Sequence, residues 1–324
     1  MILKVRECVS VFLRLAKATS IPVILVGHVT KSGGVAGPRT VEHMVDCVLY
    51  LEGDRTGGNG PNLRMLRAAK NRFGSSEEVG VYEMDKSLDG RLVAVSDPSS
   101  LFLSNRADST SDSDGCSIAV TLEGLRPMTV EVQALVNSCS GGGKFSIGRR
   151  IVDGISTSRL LLILAVLHKR CGISYSRMDV YVNVVGGIRL SRGSQEGSSS
   201  DLAIAVALVS SLTSIPVRSD TAFVGEVGLL GELRQVPSLE KRINEARRMG
   251  FSQIVTPLSR GRQRKHQRGK NILQEENNSA GGIKWIQCQN LLDAINAGLV
   301  SKLPMKDGRK GPRLIRADST NDSS

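Results

Sequence analysis

The sequence predicts an α/β protein built from two domains, and three observations carry that reading. An amphipathic segment at 3–18 runs through a proline turn into the continuous apolar stretch IPVILVGHVT, the pattern of a strand in a parallel sheet covered on both faces. The stretch SNRADSTSDSDGC at 104–116 is polar and reads as an exposed linker. Beyond it a second succession of strand and helix patterns opens and continues to about residue 300. A length of 324 residues suits two ordinary domains, and an apolar content of 40% supports packed cores although only 3% is aromatic.

The elements follow in order. Val5, Cys8, Val9, Phe12, Leu13 and Leu15 fall mostly on one side of a helix over 3–18. KSGGVAGPRT is a loop with three glycines and one proline. VEHMVDCVLYLEGD returns to the sheet, and RTGGNGPN reads as a hairpin turn. LRMLRAAKNRFG, VGVYEMD and LVAVSD complete an antiparallel edge. Residues 1–104 therefore form one domain and 105–116 the linker.

The second domain spans 117–300. SIAVTLEG and RPMTVEVQALV alternate as two strands, and SCSGGGKFSIGRR is a mobile loop. STSRLLLILAVLHKRCG is a helix with Ser156 or Thr157 as its cap and Gly172 after its end. DVYVNVVGG is a strand, and SSSDLAIAVALVSSL is an alanine-rich helix capped by serine. TAFVGEVGLLGELRQV reads as a hairpin, SLEKRINEARRMGF as a helix and QIVTP as a strand. IKWIQCQN and LLDAINAGLV close the domain, and 301–324 is a polar, basic tail expected to be disordered.

Charge narrows the partners. A net charge of +12 points to a polyanion, with nucleic acid ahead of an anionic membrane surface. No apolar run reaches membrane-spanning length, and no secretory signal pattern opens the chain. The six cysteines are scattered without a C-x-x-C pair, which argues against a zinc ribbon and suits a reducing, intracellular setting.

Two segments carry candidate chemistry. In KNRFG, Lys70 and Arg72 are two residues apart at a strand end, so both point to one face and present a paired positive claw. Such a claw suits a phosphate, most usefully the terminal phosphate of a nucleotide held by a neighbouring subunit; a solvated strand end is the plainer reading. In VGHVTKSGGVAGPRT, His28 ends the apolar strand where α/β sheets bind ligands, and Lys31 and Arg39 flank the glycine loop. That loop suits a nucleic-acid backbone, with an ordinary surface loop as its alternative.

ILVGHVTKSGGVAGPRTVEHMVDCVLYLEGD followed by LRAAKNRFG resembles the RadA/Sms family of DNA repair proteins. TVEVQALV, DVYVNVVGG, VGEVGLLGELRQV and EARRMGF resemble the same family, so the likeness runs from about residue 4 to 300. It implies an α/β fold in which the C-terminal half of a RecA-like ATPase core is followed by an α+β Lon-protease-like, ribosomal S5-like domain. It also implies a DNA-dependent ATPase that forms homo-hexameric rings on single-stranded DNA and drives branch migration of recombination intermediates, with a RecA-type recombinase as a further partner. KNRFG resembles the K-x-R element of ring helicases. Lys70 and Arg72 are then trans-acting fingers on the ATP γ-phosphate, with Gly74 permitting the turn behind them, and His28 is a nucleotide sensor. Lys31 and Arg39 become contacts to single-stranded DNA. ATP and Mg2+ are implied as cofactors. The family's zinc finger, Walker A loop and Walker B strand are missing, because no G-x-x-x-x-G-K-[ST] occurs and GGGKFS at 141–146 lacks its spacing. The expectation is an N-terminally truncated member without its own phosphate cradle or zinc site. It belongs in a bacterial cytoplasm, or in a plant organelle or nucleus, with no membrane partner.

Lon proteases use a Ser–Lys dyad, and the resemblance aligns Ser199 with the nucleophile and Glu240 with the base. Lys241 stands one place along, about 100° away on a helix. A vestigial site is expected, with Ser199 serving as a helix-cap residue. Arg260, Arg262, Arg264 and Lys265, with the basic tail, read as sequence-independent phosphate contacts; a solvated loop and a nuclear-import signal are the alternatives. Two other functions stay open: a non-catalytic DNA-binding or ring-modulating protein, and an active Lon-type serine peptidase.

Overall fold

The computed structural model describes residues 2–27, 40–53, 63–76, 78–85, 90–99, 114–139, 148–185, 198–258, 274–276 and 282–304. They group into two compact units, the first chiefly of residues up to Val95 and the second chiefly of those from Ser96 onward.

The first unit opens with helix α1 (Ile2–Thr19), continues through the short helix α2 (Thr40–Met44), and is completed by strands β1 (Cys47–Gly53), β2 (Leu63–Asn71), β3 (Val79–Asp85) and β4 (Arg91–Ala94). The strands form an antiparallel meander in sequence order, as expected from their alternation. A register shift between Val48 and Leu49 leaves Lys70 opposite Val48 and Asn71 opposite Cys47. Such an irregularity re-aims side chains at a strand end.

One expectation for this unit fails. The stretch expected as a strand of a parallel sheet is not one over its described part, Ile21–Gly27, and Ile24 and Val26 are each 88% exposed. A strand is stable only when neighbours satisfy its backbone and cover its faces, and apolar sequence alone does not supply them. The amphipathic helix α1 does form, but only Val9 of its apolar stripe is buried, while Val11, Phe12 and Leu15 stay exposed.

The second unit is a mixed eight-stranded sheet with helices packed on it. Its strands are β5 (Cys116–Glu123), β6 (Arg126–Ser138), β7 (Arg150–Asp153), β8 (Met178–Val184), β9 (Thr221–Phe223), β12 (Gln253–Pro257), β13 (Gln274–Glu276) and β14 (Lys284–Cys288). Their order is β13-β14-β12-β9-β5-β6-β8-β7. The run β5, β9, β12 and β14 is parallel, β7 lies parallel to β8, and β13 and β6 pair antiparallel to β14 and β8. The expected hairpin in 221–236 is shorter than its sequence: only β10 (Glu226–Val227) and β11 (Leu233–Arg234) pair, and β9 joins the main sheet.

Among the described residues this unit also carries the helices α3 (Thr157–Cys171), α4 (Asp201–Thr213), α5 (Leu239–Arg248) and α6 (Leu291–Gly298). Helix α3 starts where the Ser156 hydroxyl accepts from the Arg159 amide and ends on Gly172 at φ 72, a left-handed conformation that suits glycine. Helix α4 is apolar nearly all round and is buried from Asp201 to Ser210, with Leu202 to Val209 fully buried, while its last turn is partly exposed. It packs on β5 and against α3 and α6. Amphipathic α5 sets Ile243 and Ala246 against Ile118, Val120, Ala222 and Val224 of the sheet and Phe251 beyond it.

Candidate functional site

Two places gather the candidate residues that the structure describes. The first is the end of β2. The ladder continues one residue past the strand, where the Arg72 amide donates to the Asp46 carbonyl at 3.0 Å. Lys70 turns toward the end of α2, and its Nζ donates to the carbonyls of Glu42 at 3.2 Å, His43 at 3.0 Å and Val45 at 2.7 Å. The last carbonyls of a helix have no partner within it, so a cation placed there satisfies them. Arg72 donates from Nη1 to Asp46 Oδ1 at 3.1 Å, and its side chain is 56% exposed.

Lys70 and Arg72 therefore do converge, as their two-residue spacing requires, but on the protein's own segment 42–46. Residues 71–74 make the turn that follows. The Asn71 carboxamide accepts from the Phe73 amide at 3.1 Å and donates to the Ser75 carbonyl at 3.1 Å. Gly74 has no positive φ, contrary to a turn made by glycine's backbone freedom. A Cβ there would lie 3.3 Å from Asn71 Nδ2, so what matters at this position is room. Phe73 stands 83% exposed beside Arg72.

The second place is the N-terminal end of α4. Ser199 is 1% exposed, and Ser200 and Asp201 are fully buried. Ser200 occupies the N-cap without a side-chain cap bond, so the expected serine cap is absent in its usual form. Ser199 is not the cap residue: its carbonyl accepts from the Gly225 amide at 2.9 Å, and its hydroxyl accepts from Arg242 Nη1 at 3.3 Å. Arg242 is fully buried; Nη1 also donates to the Val120 carbonyl at 2.7 Å and Nε to the Pro237 carbonyl at 3.1 Å.

Glu240 and Lys241 are both exposed, so the expected pairing of Ser199 with Glu240 does not form. Two residues on a helix turn the direction by about 200°, which carries Arg242 inward and leaves Glu240 outside. Helical phase held a signal for this, since Arg242, Glu245 and Ala246 share one face at i, i+3 and i+4.

Two further groups were missed in the sequence. Asp201 is held by Arg159, whose Nε donates to Oδ1 at 2.7 Å and whose Nη2 donates to Oδ2, and by the Val227 amide at 3.0 Å. Burial pushes the Asp201 carboxyl up to about 6 against the opposing pull of Arg159. Near the start of this unit, the buried Ser99 hydroxyl donates to Glu245 Oε1 at 2.6 Å and accepts from the Thr129 amide at 3.1 Å. Arg248 completes the group with two bonds to Asp97 at 2.8 and 2.9 Å and two to Glu245 at 2.7 and 2.9 Å.

His28, Lys31, Arg39, Arg260, Arg262, Arg264 and Lys265 lie outside the described residues. Among the described residues no group of three or more His, Cys, Asp or Glu side chains is arranged to hold a metal, and no helix is long and apolar enough to cross a membrane.

Comparison with known proteins gives the class first. Residues 163–260, within the second unit, match the family described as subunit ChlI of Mg-chelatase. The fold is α/β, part of a RecA-like ATPase core followed by a Lon-protease-like domain. The relatives then narrow it. The chain is 42% identical over 254 residues to the DNA repair protein RadA of Halalkalibacterium halodurans, covering 78% of this chain and 51% of that protein. It is 45% identical over 254 residues to RadA of Streptococcus pneumoniae, covering 78% and 56%. It is 43% identical over 254 residues to RadA of Listeria monocytogenes, covering 78% and 51%. Over that span the chain belongs to the RadA family. It spans about half the length of these curated relatives.

Proposed function

We propose that this chain acts in DNA repair by homologous recombination, as the finger-bearing part of a RadA-type ring motor. Arg72 stabilises the γ-phosphate of ATP bound to a neighbouring subunit during hydrolysis, and the ring tracks single-stranded DNA and drives branch migration. The observation that carries this reading is the placement of Arg72: a half-exposed guanidinium at a strand end, held by one carboxylate on the same chain. A guanidinium so held keeps most of its five donors for a phosphate. Charge delivered to the transferring phosphoryl group stabilises its transition state.

The nucleotide with its Mg2+ sits on the neighbour in this reading. This chain's described residues offer a cation to the phosphate and no cluster of acidic side chains to hold the metal. The test is Arg72→Ala in rings assembled with nucleotide-binding subunits. DNA-stimulated turnover should fall by about a thousandfold while DNA binding is retained. Unchanged turnover would sink the assignment.

The Lon-like domain serves in this account as a scaffold for assembly and DNA contact, without peptidase activity. Arg242 supports that role. A dyad serine needs a neighbour that can take its proton, and a guanidinium, protonated throughout, already spends its donors on Ser199 and two carbonyls. The protein is proposed to be intracellular, to assemble as a homo-hexamer and to work beside a RecA-type recombinase.

A further inference from the structure

We propose that Lys70 is a positioning residue, not a phosphate ligand: it clamps the end of α2 and so fixes the segment 42–46 on which Arg72 rests. The inference deepens the finger reading of Arg72 and rests on it for its catalytic consequence.

The argument begins with a donor count. A lysine ammonium has three N–H bonds and no acceptor. Lys70 Nζ has three carbonyl partners within 3.2 Å, from Glu42, His43 and Val45. Every donor is thus matched, and a phosphate would have to displace carbonyls that have no other donor in the short α2. Freeing them would break three charge-assisted hydrogen bonds and loosen the end of a five-residue helix.

Arg72 differs in each respect. Its guanidinium has one ion-pair partner, Asp46, and its side chain is 56% exposed. Its backbone is fixed to the same residue, since the Arg72 amide donates to the Asp46 carbonyl. Asp46 follows Val45, the residue whose carbonyl makes the shortest bond to Lys70. Lys70 therefore holds both the carboxylate on which Arg72 waits and the backbone from which it reaches. The two cations of K-x-R divide the labour: one builds the platform and the other leaves it.

The register supports the division. The irregularity between Val48 and Leu49 lies directly opposite Lys70. That shift and the clamp together set where β2 ends, and so where Arg72 stands.

Hydrogen exchange on the 324-residue chain tests the clamp without any nucleotide. In Lys70→Met the Val45 and Arg72 amides, which donate to Val41 and Asp46, should exchange roughly tenfold faster. In Arg72→Ala the Val45 amide should stay within about twofold of the parent chain. An ammonium held by three carbonyls should also give a slowly exchanging Nζ signal in the nitrogen-15 spectrum of the parent chain, which keeps the test alive if Lys70→Met does not fold. Absence of that signal, or unchanged exchange at Val45 in Lys70→Met, would overturn the clamp. ATPase lost in rings assembled from Lys70→Met and nucleotide-binding subunits, with exchange unchanged, would also overturn it, making Lys70 a direct phosphate ligand and leaving the Arg72 reading intact. Faster exchange in Lys70→Met beside normal turnover in Arg72→Ala would uphold the clamp and reject the finger reading alone.

Discussion

Arg242 reaches Ser199 inside the second unit, donating to its hydroxyl at 3.3 Å while also bonding the carbonyls of Val120 and Pro237. One side chain thereby ties α5 to β5 and to the residue preceding the N-cap of α4. The neighbour that the Ser199 hydroxyl finds is thus a guanidinium that bonds the surrounding backbone.

Removing that charge should damage stability far more than removing the serine. Arg242→Met leaves the buried Val120 carbonyl and the part-buried Pro237 carbonyl without this donor, and a loss of about 3 kcal/mol is expected in urea unfolding. Ser199→Ala should cost less than about 1 kcal/mol and leave the turnover of rings assembled with nucleotide-binding subunits unchanged. A peptidase activity lost in Ser199→Ala would restore the protease reading.

The Asp201 carboxyl gives the second unit a pH signature. Its folded pKa of about 6 lies above its ordinary value of 3.8, so its contribution to stability is complete below about pH 4 and lost as pH rises through 6. Urea midpoints should therefore carry a falling component between pH 4 and 6 that is missing in Asp201→Asn. The same slope in both proteins would contradict the burial-driven shift.

Ser99 is buried between an amide and a carboxylate, so Ser99→Ala strips a partner from both Thr129 and Glu245. A loss of about 1–3 kcal/mol is expected. Arg248→Ala should cost less, about 1 kcal/mol, because its side chain is half exposed and water can replace its bonds to Asp97. Thermal unfolding of the two variants checks the order.

What the sequence disclosed followed the range of the forces involved. Helix α3 was legible to its ends because Ser156 and Gly172 act within a turn of the positions they cap. Strands β5, β6, β8, β12 and β14 were legible from alternation and apolar runs, whereas the short strands β7 and β13 carried no such pattern. Ile21–Gly27 misled because apolarity marks a strand only where partners exist. The convergence of Lys70 and Arg72 followed from the two-residue period. Their partners did not, since the carbonyls of 42–45 are about 25 residues distant in sequence and carry no side-chain signature. Arg242 was missed because alignment with a motif directed attention to Glu240, whereas helical phase pointed two residues further on.

Complementation is the most direct test of a finger that acts between subunits. Complete RadA-type subunits, with the arginine that corresponds to Arg72 changed to alanine, should be nearly inactive in DNA-stimulated ATP hydrolysis. Adding this chain, whose sequence contains no G-x-x-x-x-G-K-[ST] loop, should restore turnover by supplying Arg72 to their nucleotides, and its Arg72→Ala form should not. Equal turnover with both forms of the added chain would contradict the account.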